Sequence, residues 1–171
     1  TYNNMQFDKA FYNSTEYKNI SKDSTLLSRY GSAEGIKTAT QQFLDNGITD
    51  AKQIKTALEA GISGDTYRQY NETGISDAKQ MEALSSAGIT PQGYETYSKG
   101  GITNINKIVN IKNKHPGMTD ESRLDWMKLA ENTKNLSLDD FKVRMVGRTF
   151  NGVTVTDSMA EQIYRRLVDF F

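Results

Sequence analysis

The chain of 171 residues has no cysteine, one histidine, two prolines, no net charge and no apolar run of membrane-spanning length. Without cysteine it forms no disulfide and offers no thiol nucleophile or thiolate metal ligand. A single imidazole, His115, is too few for a histidine-based metal set, and no Asp-x-Asp-x-Asp-Gly loop is present to hold calcium. A Ser-His-Asp arrangement would have to recruit that same residue, which precedes Pro116-Gly117 and reads as a solvent-facing turn position. The glycines are spaced as helix stops rather than as a phosphate-cradling loop, and Asp139-Asp140 fit the first turn of a helix. No catalytic, cofactor or metal residue is nominated, and the expected class is non-enzymatic.

The balance of charge is also local. Lysine plus arginine and aspartate plus glutamate number 21 each, and no large stretch departs far from neutrality. Nucleic acid is therefore a disfavoured partner, since its electrostatic footprint would be a basic face. Membrane insertion is not expected of this segment. The first residue is Thr1 rather than methionine, as expected of a processed form or an excised piece.

What the chain does have is a repeated tripeptide. Gly-Ile followed by Ser or Thr begins at Gly47, Gly61, Gly74, Gly88 and Gly101, alternately 14 and 13 residues apart. The period is thus a 27-residue pair of unequal modules, and 11 of 27 positions are identical between 47–73 and 74–100. Glycine takes the left-handed conformation past a helix end, isoleucine packs back on that helix, and Ser or Thr caps the next one. Between junctions the residues are strong helix formers, with Ile54, Ala57 and Leu58 on one face and Met81 and Leu84 repeating it. The expected fold class is all-α: short antiparallel helical hairpins stacked as an α-solenoid-like repeat, followed by a small C-terminal helical bundle. Gly61, Gly74 and Gly88 should have positive φ, and the five isoleucines after the junction glycines should be buried.

The expected organisation has three parts. Residues 1–18, with Tyr2, Met5, Phe7, Phe11, Tyr12 and Tyr17, read as an amphipathic segment docking on the body or on another molecule. Residues 19–114 form the repeat region. Asn19-Ile20-Ser21 imitates a junction there, Leu26, Leu27 and Tyr30 make an apolar face, and Gly35-Ile36 opens a helix ending near Asn46. Residues 115–171 form the cap. Gly117-Met118-Thr119 restates the junction, and helices carry Leu124, Trp126, Met127 and Leu129, then Phe141, Met145 and Val146, then Met159, Ile163, Leu167, Val168 and Phe170. Val153-Thr154-Val155-Thr156 is the one β-like run, too little for a sheet.

Tyr67 and Tyr70 recur as Tyr94 and Tyr97, each pair on one helical face. Core packing with the hydroxyl at the edge is the first reading and a binding stripe the second, so these four and Trp126 are the candidate interaction residues. Arg144, Arg148, Arg165 and Arg166 stand among acids and read as a solvated or salt-bridged face.

The run Gly74-Ile75-Ser76-Asp77-Ala78-Lys79-Gln80, followed by Ala87-Gly88-Ile89, resembles the tandem Gly-Phe/Ile-Ser/Thr helical repeats of bacterial conjugation and type IV secretion envelope proteins. The resemblance covers about Gly47 to Thr103 and implies a scaffold in a bacterial envelope or periplasmic assembly. It transfers no functional residue. The functional expectation is a non-catalytic protein-interaction scaffold with a protein partner, a second copy of the chain among the candidates. The alternative is nucleic-acid binding through helix-hairpin-helix-like turns, disfavoured because Ser or Thr replaces the second glycine of such turns.

Overall fold

A computed structural model describes residues 2–171, with side chains from residue 4, so Thr1 and the Tyr2 side chain lie outside the described residues. Among these residues the chain forms twelve helices that pack against one another, and one short hairpin. The helices are α1 (Tyr2–Tyr12), α2 (Thr15–Lys22), α3 (Ser24–Tyr30), α4 (Ala33–Asp45), α5 (Ala51–Glu59), α6 (Gly64–Glu72), α7 (Ala78–Ser86) and α8 (Pro91–Lys99). Then follow α9 (Ile105–Lys114), α10 (Asp120–Thr133), α11 (Leu138–Met145), strands β1 (Thr149–Phe150) and β2 (Val153–Thr154), and α12 (Asp157–Val168).

The five junctions share one geometry. Gly47, Gly61, Gly74, Gly88 and Gly101 have φ of 76°, 72°, 103°, 78° and 88°, the left-handed conformation expected. In each, the glycine N–H and the following isoleucine N–H both return to the helix just ended. At the first, Gly47 donates to the Leu44 carbonyl and Ile48 to the Phe43 carbonyl, each over 2.9 Å. The pairs Gly61–Leu58 and Ile62–Ala57, Gly74–Asn71 and Ile75–Tyr70, Gly88–Ser85 and Ile89–Leu84, and Gly101–Ser98 and Ile102–Tyr97 repeat it. This is the Schellman arrangement, in which the isoleucine packs on the residue whose carbonyl it binds. Those residues (Phe43, Ala57, Tyr70, Leu84 and Tyr97) are all buried, as are Ile48, Ile62, Ile75 and Ile89. Ile102 departs from expectation and is only half-buried.

The alternation of 14 and 13 has a simple origin. Helices α5 to α8 are each nine residues long. After Gly61 and Gly88 the cap is Ser63 or Thr90, whose hydroxyl accepts from Thr66 N or Gly93 N. After Gly47, Gly74 and Gly101 the cap falls one residue later, on Asp50, Asp77 and Asn104. Thr49, Ser76 and Thr103 are therefore not caps, a correction to the sequence expectation. A carboxylate or amide oxygen accepts from the first-turn amides at least as well as a hydroxyl, and the later cap adds the fourteenth residue. Asp23, which caps α3, stands 27 residues before Asp50.

Two compact units divide the chain at 95/96, inside α8. In the first unit α2 packs on α4, α3 on α5, α4 on α6 and α5 on α7, while α4 also packs on α5 and α6 on α7. Gly64 sits directly against the Gln42–Phe43 backbone, where a Cβ would come within 2.5 Å of the Gln42 carbonyl carbon. The Gln53 side chain of α5 accepts from Ala78 N at the start of α7 over 2.6 Å. The expected amphipathic segment is two helices. Phe11, Tyr12 and Tyr17 cluster with ring centroids 4.8 to 5.9 Å apart. Tyr12 Oη donates to Gln41 Oε1 of α4, and Gln41 Nε2 donates to Asp8. Asn19-Ile20-Ser21 lies inside α2, because Ser14 and Asp23 supply the flanking caps and no glycine interrupts the run. Gly35 lies within α4, which Ser32 caps; its missing side chain leaves room for the Tyr30 carbonyl.

In the second unit α12 packs on α10 and α11. Its core holds Ile108, Ile111, Met127, Ala130, Phe141, Met145, Val155, Ala160, Leu167 and Phe170. Thr119 caps α10 as expected, but Gly117 is not among the positive-φ glycines, so that junction is not of the repeat kind. Val146 and Val168, expected inward, are 42 and 65% exposed. Val146 follows the end of α11, and Val168 is adjacent in sequence to the buried Leu167, which takes the inward position.

Candidate functional site

The four repeat tyrosines lie in the core. Tyr67, Tyr70, Tyr94 and Tyr97 are 3, 1, 5 and 0% exposed. Tyr67 Oη donates to the Ser76 carbonyl over 3.2 Å and Tyr70 Oη to the Ile89 carbonyl over 2.6 Å, so hydroxyls tie helices to junction backbones. Burial raises the Tyr67 pKa, with the charges of Asp50 and Asp77 adding to it, and pushes Tyr70 up to about 12. Phe43 is one period before Tyr70, equally buried and edge-on to Tyr67 at 5.8 Å, so the buried aromatic series begins one module before the tyrosines.

Tyr97 differs from Tyr70 in what it meets. One period beyond Ile89 is Pro116, but the Tyr97 hydroxyl donates instead to Asp120 Oδ1 at 2.8 Å and accepts from Arg123 Nη1 at 3.1 Å. Arg123, 2% exposed, also donates to the Asp120 carboxylate at 2.8 Å and to the carbonyls of His115 and Pro116 at 2.9 and 3.4 Å, and to that of Met118. A buried guanidinium thus gathers the turn 115–118 and the α8 terminus around itself. Burial first, then the Asp120 contacts, raise the Tyr97 pKa to about 12 against the opposing influence of Arg123. Sequence gave no sign of this centre, since Arg123 reads as one more exposed helix charge.

His115 is not a free turn residue. Its ring stacks on Phe170 at 4.3 Å, and its Nε2 lies 2.8 Å from the Phe170 carbonyl. Trp126 is half-buried, 6.1 Å from Phe170, with the Arg166 guanidinium 4.5 Å from its ring centroid. Arg165 pairs with Glu161 at 2.6 Å. Trp126 and these two arginines are engaged within the chain.

Large exposed apolar side chains lie elsewhere: Met5 and Phe7 on α1, Val168 and Phe171 near the C-terminus, and a group around residues 143–153. Every residue from Val146 to Thr154 is exposed, between the buried anchors Met145 and Val155. Phe150 and Val153 are paired partners in the antiparallel ladder and are 51 and 53% exposed; Val143 on α11 is 84% exposed. The hairpin has a tight tip at Asn151-Gly152, with φ of 50° and 80°, the turn whose twist matches the strands. At its base Gly147 N donates to the Val155 carbonyl and Val155 N to the Arg148 carbonyl, so two residues face one. This is a bulge with glycine, φ 89°, at its first position. Strand alternation puts Phe150 and Val153 on one face, and the Thr149 and Thr154 hydroxyls meet at 3.1 Å on the other. Lys142 is held by Asp157 and Glu161 at 3.0 and 3.8 Å. The Arg144 and Arg148 side chains have no carboxylate partner among the described residues, and no acid occurs between Asp140 and Asp157. Asn-Gly is the available sequence signal for this hairpin, whose Val153 the sequence marks only as part of a β-like run.

Among the described residues no group of three or more His, Asp or Glu converges as a metal site, and no helix is long and apolar enough to cross a membrane. A cleft of about 350 Å³ between α4 and the Gly61 junction is lined by Tyr30, Thr38, Gln42, Phe43 and Ser63, without an acid, base or histidine. No family model, curated protein or solved structure matches the chain.

Proposed function

We propose that the chain is a non-catalytic scaffold for protein–protein interaction, its hairpins stacked as an α-solenoid of 27-residue period. Supporting the stacking are the packing of α4 on α6 and α5 on α7, the Gln53–Ala78 bond, and caps at Asp23, Asp50, Asp77 and Asn104. The observation that carries the functional reading is the exposed apolar pair Phe150 and Val153, cross-strand partners on a hairpin set between the buried Met145 and Val155. Exposed apolar side chains gathered on an ordered element mark interaction surfaces more often than isolated ones do. The resemblance of the junctions to envelope-protein repeats makes a secretion or conjugation assembly the setting we propose.

Counting against the nucleic-acid alternative is the use of the turn amides. Both junction N–H groups donate to their own helix, which leaves neither for a phosphate. A photo-crosslinking residue at position 150, with a control at the exposed Glu72, tests the proposal in the producing cell. Protein adducts specific to position 150 are expected. Nucleic-acid adducts there, or none beyond the control, would overturn the reading.

A further inference from the structure

Resting on the scaffold reading, we infer that the α11–hairpin face recognises an acidic, apolar segment of a partner protein. The apolar half of the argument is Phe150 and Val153, side by side on one face of a hairpin that is fixed at both ends. A short stem held by a bulge, a tight turn and two buried anchors is already ordered, so little conformational entropy is lost when a ligand lies on it. The charged half is Arg144 and Arg148. Both are exposed, neither has a carboxylate partner among the described residues, and Arg148 stands two residues before Phe150, at the bulge where the stem begins. Elsewhere on α12 and α11 the cations Lys142 and Arg165 are engaged by Asp157 and Glu161. Positive charge held in no ion pair, on Arg148 in the hairpin stem and on Arg144 four residues earlier in sequence, together with the apolar pair, is complementary to aspartate or glutamate interspersed with leucine, isoleucine or phenylalanine. Arginine adds a geometric element, since its planar fork takes a carboxylate by two parallel bonds.

A phosphate backbone fits this face less well. Two arginines supply few of the phosphate contacts that nucleic-acid binding needs, and the exposed Phe150 and Val153 side chains gain nothing from it. A second copy of the chain is the remaining occupant, and its signature is concentration-dependent association.

The test is a selection from a random peptide display library on the immobilised full chain, followed by anisotropy titrations with the enriched peptides. Two double variants, Arg144→Ser/Arg148→Ser and Phe150→Ser/Val153→Ser, change exposed residues only, and their circular dichroism melts verify folding. Enriched peptides are expected to combine acids with large apolar residues. Each double variant should weaken them about tenfold or more, and rising salt should weaken only the binding that the arginines support. Enriched peptides that lack acids, or that bind the arginine variant equally well, would overturn the inference while leaving the scaffold reading intact. No enrichment over bare matrix would overturn both. A 20-base-pair duplex DNA that binds the chain and not the arginine variant would assign the face to nucleic acid. A sedimentation dimer abolished by Phe150→Ser/Val153→Ser would assign it to a second copy; either outcome overturns the inference.

Discussion

Between residues 47 and 103 one junction is used five times, whereas between 104 and 171 each helix ends in its own way. In the first region a left-handed glycine, a returning isoleucine and a cap close every turn with local backbone bonds. In the second, α9 ends at the Arg123 centre, α11 ends at a bulged hairpin, and the chain after α12 lays Phe170 on His115. Local closure needs only its neighbours in sequence and can be copied. Tertiary closure depends on one residue reaching several others, so it is specific and fragile.

The largest expected difference follows from that contrast. Arg123→Ala removes the sole cation from a buried site and leaves Asp120, Tyr97 and three carbonyls short of a donor. It should cost about 3–5 kcal/mol in urea unfolding, and Arg123→Lys should not restore the loss because an ammonium cannot span the same acceptors. A loss below about 1 kcal/mol would show that the turn 115–118 holds itself.

A smaller effect separates the junction types. At Gly74, φ 103° with open space around the missing side chain, alanine should cost about 1–2 kcal/mol through backbone conformation alone. At Gly117, equally open and not at positive φ, the same change should stay within about 0.5 kcal/mol. Equal costs would erase the distinction drawn between the two regions.

The tyrosines give a pH-dependent effect that is absent at neutrality. Folding raises the phenol pKa of Tyr70 and Tyr97 from 10.0 to about 12, so the native state holds these protons more tightly than the unfolded chain. Their contribution is complete below pH 10 and is lost as pH climbs from 10 toward 12. Absorbance at the phenolate band should show delayed titration of these groups, coupled to unfolding, and Tyr70→Phe should remove part of the delay. Titration of all tyrosines near pH 10 in the folded protein would contradict the burial.

The contrast between regions also accounts for what could be read in the sequence. All-α structure, the five junctions and the buried Ile48, Ile62, Ile75 and Ile89 were legible because each depends on residues within one helical turn. The cap at Asp50 rather than Thr49 was a choice between adjacent competent acceptors, which geometry settled. Arg123 was invisible because its partners come from α8, the 115–118 turn and its own helix. The exposed hairpin face was missed although Asn151-Gly152 announced it, since Phe150 and Val153 look like core until a fold leaves them outside.

Amide hydrogen exchange at the junction isoleucines tests the central claim most directly. If one hydrogen-bonded closure recurs from Gly47 to Gly101, the amides of Ile48, Ile62, Ile75, Ile89 and Ile102 should be protected like those inside the neighbouring helices. Met118, whose N–H reaches the His115 carbonyl over a longer 3.3 Å, should exchange faster than all five. Rapid exchange at Ile75 and Ile89, with α6, α7 and α8 protected around them, would show that the junctions are open loops and contradict the account.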